Sequence, residues 1–400
     1  MAVGLLCIAA GEVIGERDLL RAGALLIVLP LAAWAVVARA RYRMRLDRTL
    51  SPKRVEVGSP ARVVLRLENV SRLPSDTLLM EDTLPSALGG RPRFVVRKLE
   101  SGGVREATYA VRSAARGQHE IGPLTVRIGD PFGCVELTRS FSSRDTLTVS
   151  PKIVPLPAIT LSGDGVRGGD GRAAHAGVTG EADIATREHR HGDDLRKVHW
   201  RSTAKRGQLM VRRDEQPKQN RAMLLLDTRS SAHHGNGPTA SFEWAVSACA
   251  SIAVWLAHRG YATRLVTSAG AVTGGGSPTV AETAILDTLA VVRLSDERTL
   301  GAFVRSSPRE TGLVIAISPI GDLDDLRYFS GTYQDTHTAL VLAMDSPTWA
   351  RAGPRPAAET DAARREFTAL GWRFVPAVAG DALDDLWSSA GRADVRIGIE

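Results

Sequence analysis

The residues best equipped for chemistry crowd into one stretch: Arg187, Glu188, Gly192, Asp193, Asp194, Arg196, His199, Trp200, Arg201 and Ser202, with His189 and His191 among them. Three histidines near several acids invite a zinc or acid–base reading. No histidine pair here has the i, i+4 spacing of a His-Glu-x-x-His helix, and no cysteine lies nearby, so solvated or ion-paired histidines are expected. Asp193 and Asp194 beside Arg196 and Arg201 read as a salt-bridge network that fixes a loop, since guanidinium holds carboxylate bidentately. Trp200 is expected to anchor the segment apolarly. Residues 187–213 hold nine Lys or Arg against Glu188, Asp193 and Asp194. Trp200 stands alone there, without the aromatic interleaving of single-strand nucleic-acid binding, so an acidic partner or anionic lipid suits this run better.

A second set of polar groups follows short apolar runs. Residues 223–226 read Met-Leu-Leu-Leu, and Asp227, Ser230 and Ser231 come directly after. Ser318, Asp322 and Asp345 follow two later apolar runs. Hard oxygen ligands converging at strand ends would suit Mg²⁺ with retained waters. Ser231, His234 and Asp345 spell a hydrolase triad only on paper, because no G-x-S-x-G elbow presents the serine.

The elements that must position these groups change character along the chain. Within 52–150, residues 61–69 largely alternate, putting Val63, Leu65 and Leu67 on one face. Shorter runs at 94–97, 107–111, 124–128 and 147–149 are separated by turn residues such as Ser101-Gly102-Gly103 and Asp130-Pro131-Phe132-Gly133. Short strands at this spacing predict an immunoglobulin-like antiparallel β-sandwich. Residues 151–180 are rich in Pro and Gly and read as a mobile linker, and no GKS or GKT follows to make a phosphate loop. From residue 221 strands (223–226, 263–267, 313–317, 340–344, 374–375) alternate with helices (241–258, 281–292, 356–370). That alternation predicts a doubly wound sheet whose site lies at the strand carboxyl ends.

Four hundred residues imply two or three domains. The formal charge of +7 is partly local, in Arg39, Arg41, Arg43, Arg45 and Arg48, which follow the apolar segment 22–38. That segment, extended by Leu19 and Leu20, reads as a transmembrane helix, and residues 2–14 as the shortened first arm of a membrane hairpin. A start codon assigned too late would account for the shortening. The arginines would place their end, and so the bulk of the chain, in the cytoplasm. Cys7, Cys134 and Cys249 are too scattered for a disulfide framework or a metal knot and read as reduced, buried thiols.

The run Arg187-Glu188 … Gly192-Asp193-Asp194-x-Arg196 … His199-Trp200-Arg201-Ser202-Thr203-Ala204, followed by the strand ending Leu225-Leu226-Asp227, resembles the bacterial family named domain of unknown function 58. His189 replaces the usual aromatic of that motif and Lys205 a common Arg. The resemblance implies a multidomain α+β chain: a membrane hairpin and basic segment over 1–45, a β-sandwich over 46–150, a linker over 151–185, the signature segment over 186–220, and a von Willebrand A-like domain over 221–400. It further implies an unassigned activity and association with MoxR-type AAA+ ATPases, the bilayer and other membrane proteins of one assembly. The metal-site pattern of A-type domains, D-x-S-x-S, appears here degenerate as Asp227-x-Arg229-x-Ser231, with Asp322 as a third ligand. A guanidinium at that place would repel the ion or replace it. The expectation is a non-enzymatic scaffold that docks a MoxR-type ATPase, without a cofactor and without nucleic acid. The alternatives are a Mg²⁺-dependent hydrolase and a binder of anionic lipid or nucleic acid.

Overall fold

The computed structural model describes residues 2–39, 44–72, 74–75, 77–129, 136–161, 186–188, 200, 203–204, 207–212, 221–270, 272–301, 312–321, 323–333, 338–350 and 353–392. The chain is mixed α/β and divides into two compact units. One comprises residues 1–152 with 287–292, the other residues 153–286 with 293–400.

The expected membrane hairpin is overturned. Two helices, Ala2–Ile14 and Arg17–Arg39, do pack side by side. Among the described residues, however, no helix is long and apolar enough to cross a membrane. The first has only 13 residues. The second opens with Arg17, Asp18 and Arg21, ends at Arg39 and carries Pro30 inside. Its charge-free stretch would reach about 26 Å at ~1.5 Å per residue, short of a ~30 Å hydrocarbon layer. Glycine sets the approach of the pair, since a Cβ at Gly23 would stand 2.7 Å from the carbonyl oxygen of Gly4.

Among the described residues, the β-rich part of the first unit has ten strands in three sheets around one core, to which Val63, Leu65, Leu67, Leu78, Ile121, Leu124, Leu147 and Val149 all contribute. Strand Ala61–Asn69 lies between Met44–Ser51 and Val104–Val111, both antiparallel to it. Its strict alternation of buried and less buried residues matches the pattern read from the sequence. The pairing is not antiparallel throughout, because Asp145–Ser150 runs parallel to Arg54–Glu56. Arg48, expected in a basic membrane-flanking cluster, is instead buried. Its Nη2 donates to Asp82 Oδ1 at 2.8 Å and its Nη1 to the Ile121 carbonyl at 3.1 Å, while Tyr109 Oη donates to Asp82 Oδ2 at 2.6 Å. A charge taken from water is tolerable only when so paired.

The second unit is built on a six-stranded sheet. In spatial order its strands are Val272–Gly274, Ala262–Thr267, Arg221–Leu226, Leu313–Pro319, Thr338–Met344 and Trp372–Ala377. The last five run parallel and the first is an antiparallel edge. Every residue of Leu313–Pro319 and Thr338–Met344 is buried, which explains why both read as unbroken apolar runs. Met223 and Leu225 point to a cluster with Phe329, Ala363, Phe367 and Trp372. Leu224 and Leu226 alternate to the other face, and helix Ser241–His258 packs beside that strand. This helix ends as its composition predicts. Gly260, at φ +77°, turns the chain, and the Tyr261 amide donates back to the Leu256 carbonyl at 3.0 Å.

Residues 153–161, read as linker, lie along the same helix. The Val154 amide donates to Ser251 Oγ at 2.9 Å, and Trp255 Nε1 to the Pro157 carbonyl at 2.9 Å. The Gly-rich run from residue 162, the Asp130–Gly133 turn and Cys134 lie outside the described residues. Phe367 is 1% exposed and its ring centroid lies 5.6 Å from that of Trp372. Phe367→Ala should therefore cost about 3–5 kcal/mol in this unit, read as a lowered urea midpoint by tryptophan fluorescence.

Candidate functional site

The strand Arg221–Leu226 delivers Asp227 to the carboxyl edge of the sheet, where its amide donates to the Ile317 carbonyl at 3.0 Å. Asp227 is fully buried, and a buried carboxylate must be matched by charge and hydrogen bonds. Arg229 supplies both. Its amide reaches Asp227 Oδ1 at 3.0 Å, its Nε lies 3.1 Å from each carboxylate oxygen, and its Nη2 donates to Oδ2 at 2.8 Å. Ser318 Oγ, from the neighbouring strand, donates to Oδ2 at 2.9 Å. On its far side Arg229 Nη1 donates to Asp325 Oδ2 at 2.7 Å, an acid in the first turn of helix Leu323–Thr332. Burial alone would lower the pKa of Arg229, but hydrogen bonds and charge from Asp227, then Asp325, outweigh it and hold the group above its ordinary value.

Hydroxyls brace the loop after Asp227. The Thr228 amide donates to Ser268 Oγ at 2.8 Å, and Thr228 Oγ1 lies 3.0 Å from Ser295 Oγ. His233 Nε2 faces the Asp227 carbonyl at 2.9 Å, and its Nδ1 faces Ser241 Oγ at 3.1 Å. Burial depresses the pKa of His233, with the Asp227 charge opposing. His234 Nδ1 meets Ser346 Oγ at 3.1 Å, while Asp345 Oδ2 accepts the Arg355 amide at 2.9 Å. Ser231, His234 and Asp345 are therefore not assembled as a triad.

A cavity of about 660 Å³ opens over this edge, lined by Arg229, Ser231, Arg298, Gly321, Asp325 and Tyr328 among others. The Arg229 guanidinium sits between Asp227 and Asp325, the position a bridging cation would need. The donor set therefore does not fit a metal: one member is itself a cation and uses the carboxylates. Among the described residues, no three His, Cys, Asp or Glu side chains gather in metal-holding geometry.

Of the residues singled out from the sequence, Asp227 and Ser231 reach this site, and Asp322 lies outside the described residues. Asp325, Arg298, Arg355 and Tyr328 were not anticipated. Asp325 had a readable signal, as an acid in the Leu-Asp-Asp-Leu opening of a helix that follows a strand. The signature segment is described in part. Arg187 pairs with Val211 and Glu188 with Met210 in a short antiparallel ladder. Trp200, expected to be packed, is 70% exposed. Gly192, Asp193, Asp194, Arg196, His199, Arg201 and Ser202 lie outside the described residues.

Residues 185–297 match the family model described as protein of unknown function DUF58. The chain is 26% identical over 214 residues to the uncharacterized protein YeaD of Bacillus subtilis, covering 52% of this chain and 51% of that one, so it spans about half the length of this curated relative. Among solved structures it is similar to a CARDB domain from Pyrococcus furiosus, at 12% identity and TM-score 0.21 over 27% of this chain and 93% of that one. It is also similar to a beta-glucosidase from Listeria innocua, at 15% identity and TM-score 0.18 over 27% of this chain and 16% of that one. Overlaps this slight carry no argument about fold or activity.

Two outcomes follow from the geometry. Arg229→Ser leaves two acids without their cation, a loss of about 3–5 kcal/mol for a broken buried pair. Millimolar Mg²⁺ should restore part of the melting temperature in that variant and leave the wild type unmoved relative to EDTA. His233 gives a pH dependence. Its pKa is lowered in the folded chain, so the unfolded chain takes up the proton first, and stability falls as pH drops below the ordinary histidine value near 6.5. Melting curves between pH 7.5 and 5.5 should show the fall, flattened in His233→Asn.

Proposed function

Since this chain belongs to the DUF58 family, we propose that it is a non-enzymatic scaffold whose α/β unit docks a protein partner, a MoxR-type AAA+ ATPase. The observation that carries the non-enzymatic half is the Arg229 clamp. Both oxygens of Asp227 are engaged by Arg229 and Ser318, so this carboxylate is not presented as a base or a metal ligand. The hydrolase alternative would need that carboxylate. The partner rests on the family resemblance of the signature segment, and Trp200 gives the docking surface a physical anchor. An indole 70% exposed is costly to leave in water and is the residue type that most often carries interface energy. Membrane attachment forms no part of this proposal.

The test is binding of the full chain to the cognate MoxR-type ATPase, with ATP turnover as a second readout. Trp200→Ala should weaken binding at least about tenfold, the ~1.4 kcal/mol of a modest interface anchor, without moving the melting temperature. Absence of binding by the wild type would end the partner assignment.

A further inference from the structure

The cavity at the strand ends has a chemistry of its own. Its lining includes Arg229, Arg298 and Arg355 with one acid, Asp325. Arg229 is balanced by Asp227 and Asp325, and Arg355 lies beside Asp345 and Glu359, which leaves Arg298 as the arginine of this lining without an ion pair among the described residues. The acids behind the wall are already engaged. Asp227 is sealed beneath Arg229 and Ser318, and Asp345 Oδ2 takes the Arg355 amide. An incoming group therefore meets the exposed Arg298 guanidinium together with Arg229, Arg355 and Asp325. Arg298 is exposed, and among the described residues no acid lies within ion-pair distance of its side chain. Its backbone is held while its side chain is left for other use, since the Arg298 carbonyl accepts from Arg229 Nη1 at 3.4 Å. Arg355 Nε is buried 3.6 Å from Asp345 Oδ1, and its Nη1 donates to Glu359 Oε2 at 3.4 Å.

The walls are shaped for a small molecule. The volume, about 660 Å³, falls in the range of small-molecule sites, and such sites combine apolar surface with a few convergent polar groups. Tyr328, on helix Leu323–Thr332, lines the same cavity at 59% exposure. Gly321 lines the cavity beside Arg229, where a Cβ would meet Nη2 at an ordinary contact distance of 3.6 Å.

We infer that this cavity binds a small phosphorylated molecule, its phosphate held by Arg298 and Arg355 at the Arg229 rim and its body lying against Tyr328. Guanidinium forks match phosphate oxygens bidentately, and a doubly charged phosphate attracts them more strongly than a singly charged carboxylate does. Binding needs no metal, because Arg229 already supplies the fixed cation. This inference does not rest on the ATPase reading, and Trp200 lies outside the cavity lining.

The test is calorimetric titration of the full chain in EDTA with inorganic pyrophosphate and, separately, ADP. Both should bind saturably at one site, more weakly as salt is raised. ADP should bind more tightly than pyrophosphate if Tyr328 receives the organic body, and Tyr328→Ala should erase that difference. Arg298→Ala should weaken both at least about tenfold, and Arg298→Lys should fall between, keeping the charge without the fork. Arg327→Ala is the control, an exposed neighbour on the same helix that pairs with Glu366. No saturable heat, equal affinity in Arg298→Ala, or saturable binding of a glutamate-rich peptide without any response to pyrophosphate would overturn the inference.

Discussion

One guanidinium, that of Arg229, holds the carboxyl edge of the large sheet together. It fills the space between a fully buried aspartate after the central strand and a second acid on helix Leu323–Thr332. Without it, two negative charges would face each other in a place with little water. With it, the loop after Asp227 is tied to the helix carrying Asp325, and the same side chain reaches the backbone at Arg298. The site, the cavity above it and the path of residues 227–232 all depend on this contact.

Its consequence for chemistry is a substitution of one cation for another. A metal ion would bring open coordination positions and activate bound water. An arginine brings fixed charge, directional donors and no Lewis acidity, and it stays protonated throughout the working pH range. The same economy appears in the first unit, where Arg48 is enclosed with Asp82 and Tyr109. In both units a buried arginine fixes how separate strands or helices meet.

Much of the α/β unit was legible. Strands buried on both faces lose the alternation of half-buried ones, so the runs ending at Leu226 and at Met344 announced a parallel sheet. Helix Ser241–His258 showed its length, and Gly260 its end. The N-terminal segment has the apolar content of a membrane helix, but its charge-free stretch between Arg21 and Arg39 is too short to cross. Arg48 departs from its expected place as well. A basic cluster read along the chain gives no sign that one member turns inward to meet an acid far away in sequence.

What the sequence determined by itself is local: the strand periods, the extent of helix Ser241–His258, and the presence of Arg229 where a hydroxyl ligand would otherwise stand. Those follow from the side-chain period and from residue type, which need no partner to be read. Helices Leu323–Thr332 and Leu383–Arg392 were not read from the sequence. What only the tertiary structure decided is which acids that arginine meets. Asp227 is two residues away, but Asp325 and Ser318 come from elements separated from Arg229 by whole strands and helices. The cavity is likewise a product of folding, because Arg298, Tyr328 and Arg355 share no motif and meet only when the parallel strands stack in register and bring their following loops to one edge.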